Sequence, residues 1–174
     1  MRFITKITSA LIFSFGLVNA ASYSVDNVHT NVGFSVKHMM ITNVKGEFKT
    51  YDAQIDFDEA TKSFKTFSAN VNTASVDTGI EKRDEHLRSD DFFASEKFPK
   101  MTFVMKSYQA DGNEGKMKGD LTIRGITKPV VLEVEDIASV KDFQGIKRVG
   151  FSLNGKINRM DYDLKWNKAI ELGG

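Results

Sequence analysis

The chain has 174 residues, with 24 Lys and Arg against 23 Asp and Glu, three His and no Cys. A near-zero charge without a basic stripe or polybasic run argues against nucleic acid or an anionic membrane held by charge as a partner. The absence of cysteine excludes thiol nucleophiles, CxxC redox chemistry, disulfides and cysteine-ligated metals.

At the N-terminus, Arg2 and Lys6 form a short positive region and Ile7 to Val18 is an uncharged run. "VNA" then ends at Ala20, with a small residue where a signal peptidase would cut. Residues 1–20 therefore read as a secretory signal, too short for a membrane span. No later stretch approaches spanning length, so residues 21–174 are expected to form one exported domain, periplasmic or secreted, without a transmembrane segment. No lipobox cysteine is present, so a lipid anchor is not expected. That domain would hold 154 residues (174 minus 20) with 22 basic and 23 acidic side chains, a net charge of about −1. This length supports one domain with a real core.

From there, period-two alternation dominates. Val32, Phe34 and Val36 share a face in "NVGFSVKHM". In "GEFKTYDAQIDFDE", Tyr51, Ala53, Ile55 and Phe57 alternate with Asp52, Gln54 and Asp56. Phe67, Ala69 and Val71 follow in "TFSANVNTASV". The pattern then breaks over "DTGIEKRDEHLRSDDFFAS". Thr78 followed three residues later by Glu81 predicts a capping box and a helix start, and Pro99 ends any helical continuation. The helix is mostly charged, with Ile80 and Leu87 and a greasy end at Phe92-Phe93. Such a segment suits either the mouth of a barrel or the outside of a sheet. Alternation resumes with Met101, Phe103 and Met105, then Met117, Gly119, Leu121 and Ile123. It continues with Val130, Leu132 and Val134, and with Val149, Phe151, Leu153 and, in phase, Ile157. Turn signals such as Asp111-Gly112-Asn113 and Gly125 separate these runs. One-sided strands in regular succession predict an all-β antiparallel meander, closed as a barrel or stacked as a sandwich.

Catalytic signatures are weak. His29, His38 and His86 stand in no HxH or HExxH spacing, and no GxSxG elbow occurs. The glycines of "GKMKGDLTIRGITKP" lie in strand context, which does not make a phosphate loop. Asp84, Asp90 and Asp91 beside Arg83 and Arg88 are expected to be helix-surface ion pairs. Fourteen Phe and seven Met instead favour an apolar interior. A barrel of about eight strands has room for one small ligand, and methionine adapts to a flexible guest. No metal or cofactor is expected.

Several ordered motifs carry a resemblance. They are "YSVDNVHTNVGFSVKH" (Tyr23 to His38), "VKGEF" (Val44 to Phe48), "ANVNTASVDTGIEKRDEHLRSDDFFASEKFPKMTF" (Ala69 to Phe103), "GDLTIRGITKPVVLEV" (Gly119 to Val134) and "GFSLNGKINRMDYDLKW" (Gly150 to Trp166). With them the chain resembles the YceI-like proteins, exported lipocalin-like barrels that bind polyisoprenoid lipids. The resemblance implies an extended antiparallel β-barrel with a helix beside the pore. It also implies a long isoprenoid (quinone-like) or fatty chain buried inside, with no catalysis. It places Phe92 and Phe93 at the tunnel. Alternation adds Phe34, Val36, Phe67, Val71, Phe103, Met105, Leu121, Ile123, Leu132, Phe151 and Leu153. Arg83, His86, Arg159 and Trp166 fall inside the motifs and either hold a head group or brace the barrel. Bracing is favoured, and Trp166 also counts among the candidate ligand contacts. Family members continue past a glycine pair with a final alternating strand, whereas this sequence reads "AIELGG" there. The final strand is therefore expected to be missing, or the barrel to close with one fewer. A homodimer fits the fold class. The competing readings are an enzyme acting on a barrel-bound lipid through the histidines, and a barrel filled by its own side chains.

Overall fold

The computed structural model describes residues 20–38 and 41–166. The expected signal segment up to residue 19 and the "AIELGG" run lie outside the described residues, and with them the question of a final strand. The alternating runs become strands of two antiparallel sheets. The strands are β1 (Ala21–Ser24), β2 (Val32–His38), β3 (Thr42–Phe48), β4 (Tyr51–Asp58), β5 (Ser63–Asn72), β6 (Val76–Asp77), β7 (Lys100–Asp111), β8 (Glu114–Ile123), β9 (Ile126–Lys141) and β10 (Lys147–Asn154). The large sheet runs β1-β4-β5-β7-β8-β9-β10 and the small one β2-β3-β6. β1, too short to show an alternation, escapes the sequence reading. "GEFKTYDAQIDFDE", read there as one run, splits at Lys49-Thr50 and passes from the small sheet to the large one. Ile157 lies beyond β10 and is about half exposed.

The large sheet is curled. Phe64 on β5 and Phe151 on β10 are four ladder steps apart, which would be roughly 19 Å in a flat sheet. Their ring centroids are 4.9 Å apart. Register shifts at Asp56/Phe57, Met105/Ser107 and Gly150/Ser152 supply local bends. The strand register then lays the apolar side chains in rows across the inner face. One row is Tyr23, Ile55 and Phe67. The next is Ala53, Ala69, Phe103 and Leu121, and a third is Tyr51, Val71 and Met101. The outer face carries polar partners, such as Ser22 and Thr66 donating to the Asp56 carboxylate. One end of the curl is solid: Phe57, Phe64, Phe67, Phe103, Met117, Val134 and Ile137 form a buried cluster. Phe103 fits because its ring lies over Gly119 of the next strand, where any side chain would collide with it.

The charged break is shorter and better anchored than the pattern implied. The helix α1 spans Glu81–Arg88, eight residues, and Ile80 at its N-cap makes no side-chain cap bond. The capping box does not form. Thr78 instead donates its backbone N–H and its hydroxyl to the Asp84 carboxylate, at 2.9 and 2.5 Å. Arg83 donates to the Thr78 hydroxyl and carbonyl. Asp84 is therefore buried and tied to the entry of the helix, not part of a surface ion pair. The surface pairs are Arg88–Glu81, His86–Asp91 and Lys97–Asp90. Phe92 and Phe93 lie past the helix end, in the turns that follow it.

Candidate functional site: a cavity inside the curled sheet

The inner rows bound a half-open cavity of about 2270 Å³. Its wall draws on all ten described strands, β6 through Asp77 alone, with Thr78 and Gly79 of the following turn completing the circuit. Of the residues singled out by sequence, Phe34, Phe67, Val71, Phe103, Leu121, Leu132, Phe151 and Leu153 stand in that wall. The other six do not, each for a local reason. Val36 projects from β2 and is 43% exposed. Phe93 is drawn off into the core beneath α1, its ring 5.5 Å from Phe48. Phe92 and Trp166 meet His86 edge to face, at centroid distances of 5.0 and 4.7 Å from it. Ile123 continues the face of Leu121 but is covered by Tyr162 and Leu164. Met105 packs against the filled end, next to the bulge of β7.

The wall also uses residues that the sequence reading left out: Tyr23, Tyr51, Ala53, Ile55, Ala69, Met101 and Val149. Most were legible, since they share the phase of Phe67 or Phe103 and sit opposite them in the register. Tyr23 was not, because β1 is too short. The Ala53–Ala69 pair is the low point of the wall: two methyl groups side by side on β4 and β5 where neighbouring rows carry rings.

The bracing residues form a separate cluster. Arg159 donates to the carbonyls of Leu164 and Trp166 at 2.7 and 2.8 Å. Arg124 reaches the carbonyls of Asp90 and Phe92. The 159–166 segment is held over the end of β8 by Tyr162 and Leu164 packing on Ile123 and by Arg124 pairing with Asp163 at 3.4 Å. His29 is exposed and donates Nδ1–H to Asp26, while His86 faces Asp91. The side chain of His38 lies outside the described positions. Among the described residues, no cluster of three or more His, Asp or Glu side chains is placed to hold a metal ion. No described helix is long and apolar enough to cross a membrane.

The first and last strands of the large sheet share no ladder among the described residues, and the seam between them is drawn together by charge. Arg148 on β10 donates to Asp26, beyond β1, and to Asp142, both at 2.9 Å. Lys147 and the Tyr23 phenol both donate to Glu59 at 2.8 Å. The partners shift the titrations. The His29 hydrogen bond leads in holding the Asp26 carboxyl below its ordinary range, with Arg148 adding to it. The Lys147 hydrogen bond leads for Glu59, and the Ile146 backbone N–H leads for Asp142. Burial first, and then Glu59, push the Tyr23 phenol up to about 12. Carboxylates with depressed pKa contribute stability above their unfolded value, and this is lost as the pH falls through the folded one. The seam should therefore hold at neutral pH and loosen as the pH drops below about 4. Hydrogen exchange of β1 and β10 amides should accelerate there before exchange in β7 and β8. Uniform acceleration across all strands would mean that these pairs do not govern the seam.

Residues 23–174 match the family model of the YceI-like domain. The chain is 40% identical to Protein YceI of Escherichia coli O157:H7 over 159 residues, covering 90% of this chain and 83% of that one. Among solved structures, the Campylobacter jejuni YceI protein superposes with a TM-score of 0.69 at 50% identity, covering 81% of this chain and 83% of the other. A polyisoprenoid-binding domain of Saccharophagus degradans shares the fold with a TM-score of 0.53 at 15% identity, covering 84% and 83%.

Proposed function

This chain belongs to the YceI-like domain family, and from that premise we propose that it is an exported carrier of a long apolar lipid. The cargo is an isoprenoid or similar amphiphile, held in the curled sheet and left chemically unchanged. The observation that carries this reading is the cavity. At about 2270 Å³ it exceeds the ~300–1,000 Å³ of ordinary ligand pockets, and rows of Phe, Leu, Ile and Val face it. The apolar rows suit a hydrocarbon chain, and the polar side chains that also line the cavity, among them Asn31, Lys45, Glu47 and Asn154, suit the head group of an amphiphile. Burying about 20 hydrocarbon carbons at ~0.8 kcal/mol each would yield ~16 kcal/mol. Chain ordering and lost translation consume much of that, which leaves binding governed by the length and shape of the guest. The polyisoprenoid-binding domain of Saccharophagus degradans makes prenyl chains the first class to test. The segment up to Ala20, with its positive start and uncharged run, supports export to the periplasm.

Protein purified from its native host and extracted with organic solvent should release a prenyl or fatty-chain lipid detectable by mass spectrometry. The emptied protein should take up a prenyl quinone on titration. Apo protein in native mass spectra, together with no uptake, would overturn the reading.

A further inference from the structure

We propose that the β9–β10 hairpin is a docking tip for a lipid bilayer, seating the mouth of the cavity on the membrane surface. Phe143 at its turn is fully exposed, and Val140 and Ile146 on either side are 63% and 51% exposed. A bare aromatic ring is unfavourable in water, and this one is not on a loose loop. The Asp142 carboxylate accepts the backbone N–H groups of Gln144 and Ile146, each at 2.9 Å. Asp142 N–H donates to the Ile146 carbonyl, and Gly145 supplies the positive φ that the turn needs. Arg148 then fixes the same carboxylate from the side. With the Gly145 N–H donating to the Asp142 carbonyl as well, five hydrogen bonds hold the turn that presents Phe143 outward.

Three observations favour a bilayer over a protein partner. The first is continuity: Val140 and Ile146 are among the residues that line the cavity, so the tip adjoins it. The second is shape. A protein interface needs about 800 Å² of complementary surface per side, whereas this is a protruding point. Besides its own flanks, the ring has exposed Val28 (85%) on the neighbouring turn, which Asp26 ties to Arg148. The third is charge. Lys141 stands beside Phe143 in the chain, and Lys147 and Arg148 behind it are paired with Glu59, Asp26 and Asp142, so the tip is close to neutral with Lys141 the cation next to the ring. Cations beside an aromatic are the pattern of side chains that sit at a membrane–water boundary. The inference rests on the carrier reading for its purpose, since a cargo that lives in bilayers must be collected from one. Its geometry does not depend on that reading.

The test is flotation of the purified chain with vesicles of phosphatidylcholine and phosphatidylglycerol. The native sequence should float with them. Phe143→Ser should lower the partition coefficient roughly ten- to hundredfold, the value of one withdrawn aromatic side chain, and Val28→Ser by less. Thermal midpoint and uptake of prenyl quinone from detergent micelles should not change in either variant. Absence of flotation by the native chain, or flotation indifferent to Phe143→Ser, overturns the proposal. So does concentration-dependent self-association that Phe143→Ser abolishes without any vesicle binding, which would make the tip a contact between copies. The two readings fail separately. Uptake from micelles without flotation sinks the docking tip and spares the carrier, and flotation without any uptake does the reverse.

Discussion

Ala69→Phe is expected to cut lipid uptake about a thousandfold while leaving the fold intact. Ala69 sits in the middle of β5, between Ala53 on β4 and Phe103 on β7, and its methyl group faces the cavity. Ala69 packs at the edge of the filled cluster, so a benzyl group there would extend from that edge into the cavity, and the thermal midpoint reads any cost of overpacking. The benzyl group would occupy the volume of about one isoprene unit. Five carbons at ~0.8 kcal/mol each amount to ~4 kcal/mol, or three orders of magnitude in affinity. Titration of the emptied protein with a prenyl quinone measures the loss, and the thermal midpoint reports on the fold. Unchanged uptake at an unchanged midpoint would place the cargo outside this cavity. Phe103 is a poorer probe. It is buried against Phe67 and over Gly119, so a charge placed there would damage the wall before it reported on the guest.

That Ala69 is the informative position could have been found from alternation, because it lies two residues from both Phe67 and Val71. Period two gives the face of a residue but not its depth along the barrel axis, and depth separates wall from filling. Leu121 and Ile123 have the same phase, yet only Leu121 meets the cavity. The 159–164 segment folds back over Ile123, and a 3₁₀ turn ending on a left-handed Asp163 leaves no periodic trace. Phe92 and Phe93 mislead for a different reason. Once the helix stops at Arg88, adjacent residues in consecutive turns point to different clusters, one to His86 and Trp166, the other to Phe48. Asp84 reads as surface because its partners are the backbone N–H and hydroxyl of Thr78, six residues away, and not the basic side chains beside it in sequence. The succession of alternating strands was legible; the division into two sheets and the seam were not. Asp26, Glu59, Lys147 and Arg148 are far apart in sequence and become neighbours only because the sheet curls.

Phe64→Ala should produce the largest loss of stability, about 4 kcal/mol. Phe64 is 3% exposed and is the hub of the filled end. Its ring lies 4.9 Å from Phe57, 6.1 Å from Phe67, 5.1 Å from Tyr108 and 4.9 Å from Phe151. Those four rings come from β4, β5, β7 and β10, each held by its own ladder. They cannot move inward far enough to close the gap, so the cavity term adds nearly in full to the lost transfer energy. The aromatic pairings, at ~0.5–1.5 kcal/mol each in isolation, do not add as four separate terms, since one ring serves them all. For a domain of this length, ~2–4 °C per kcal/mol converts the loss to a fall in thermal midpoint of roughly 8–16 °C. In urea the midpoint should drop with little change in slope. The comparison must be made on delipidated protein, because a bound guest stabilises the folded state by mass action and would mask the difference. A loss below ~1 kcal/mol, the range of a surface substitution, would mean that the rings can reseat. The end of the barrel would then be a soft plug, and the Phe64–Phe151 contact would no longer be what keeps β10 curled over β5.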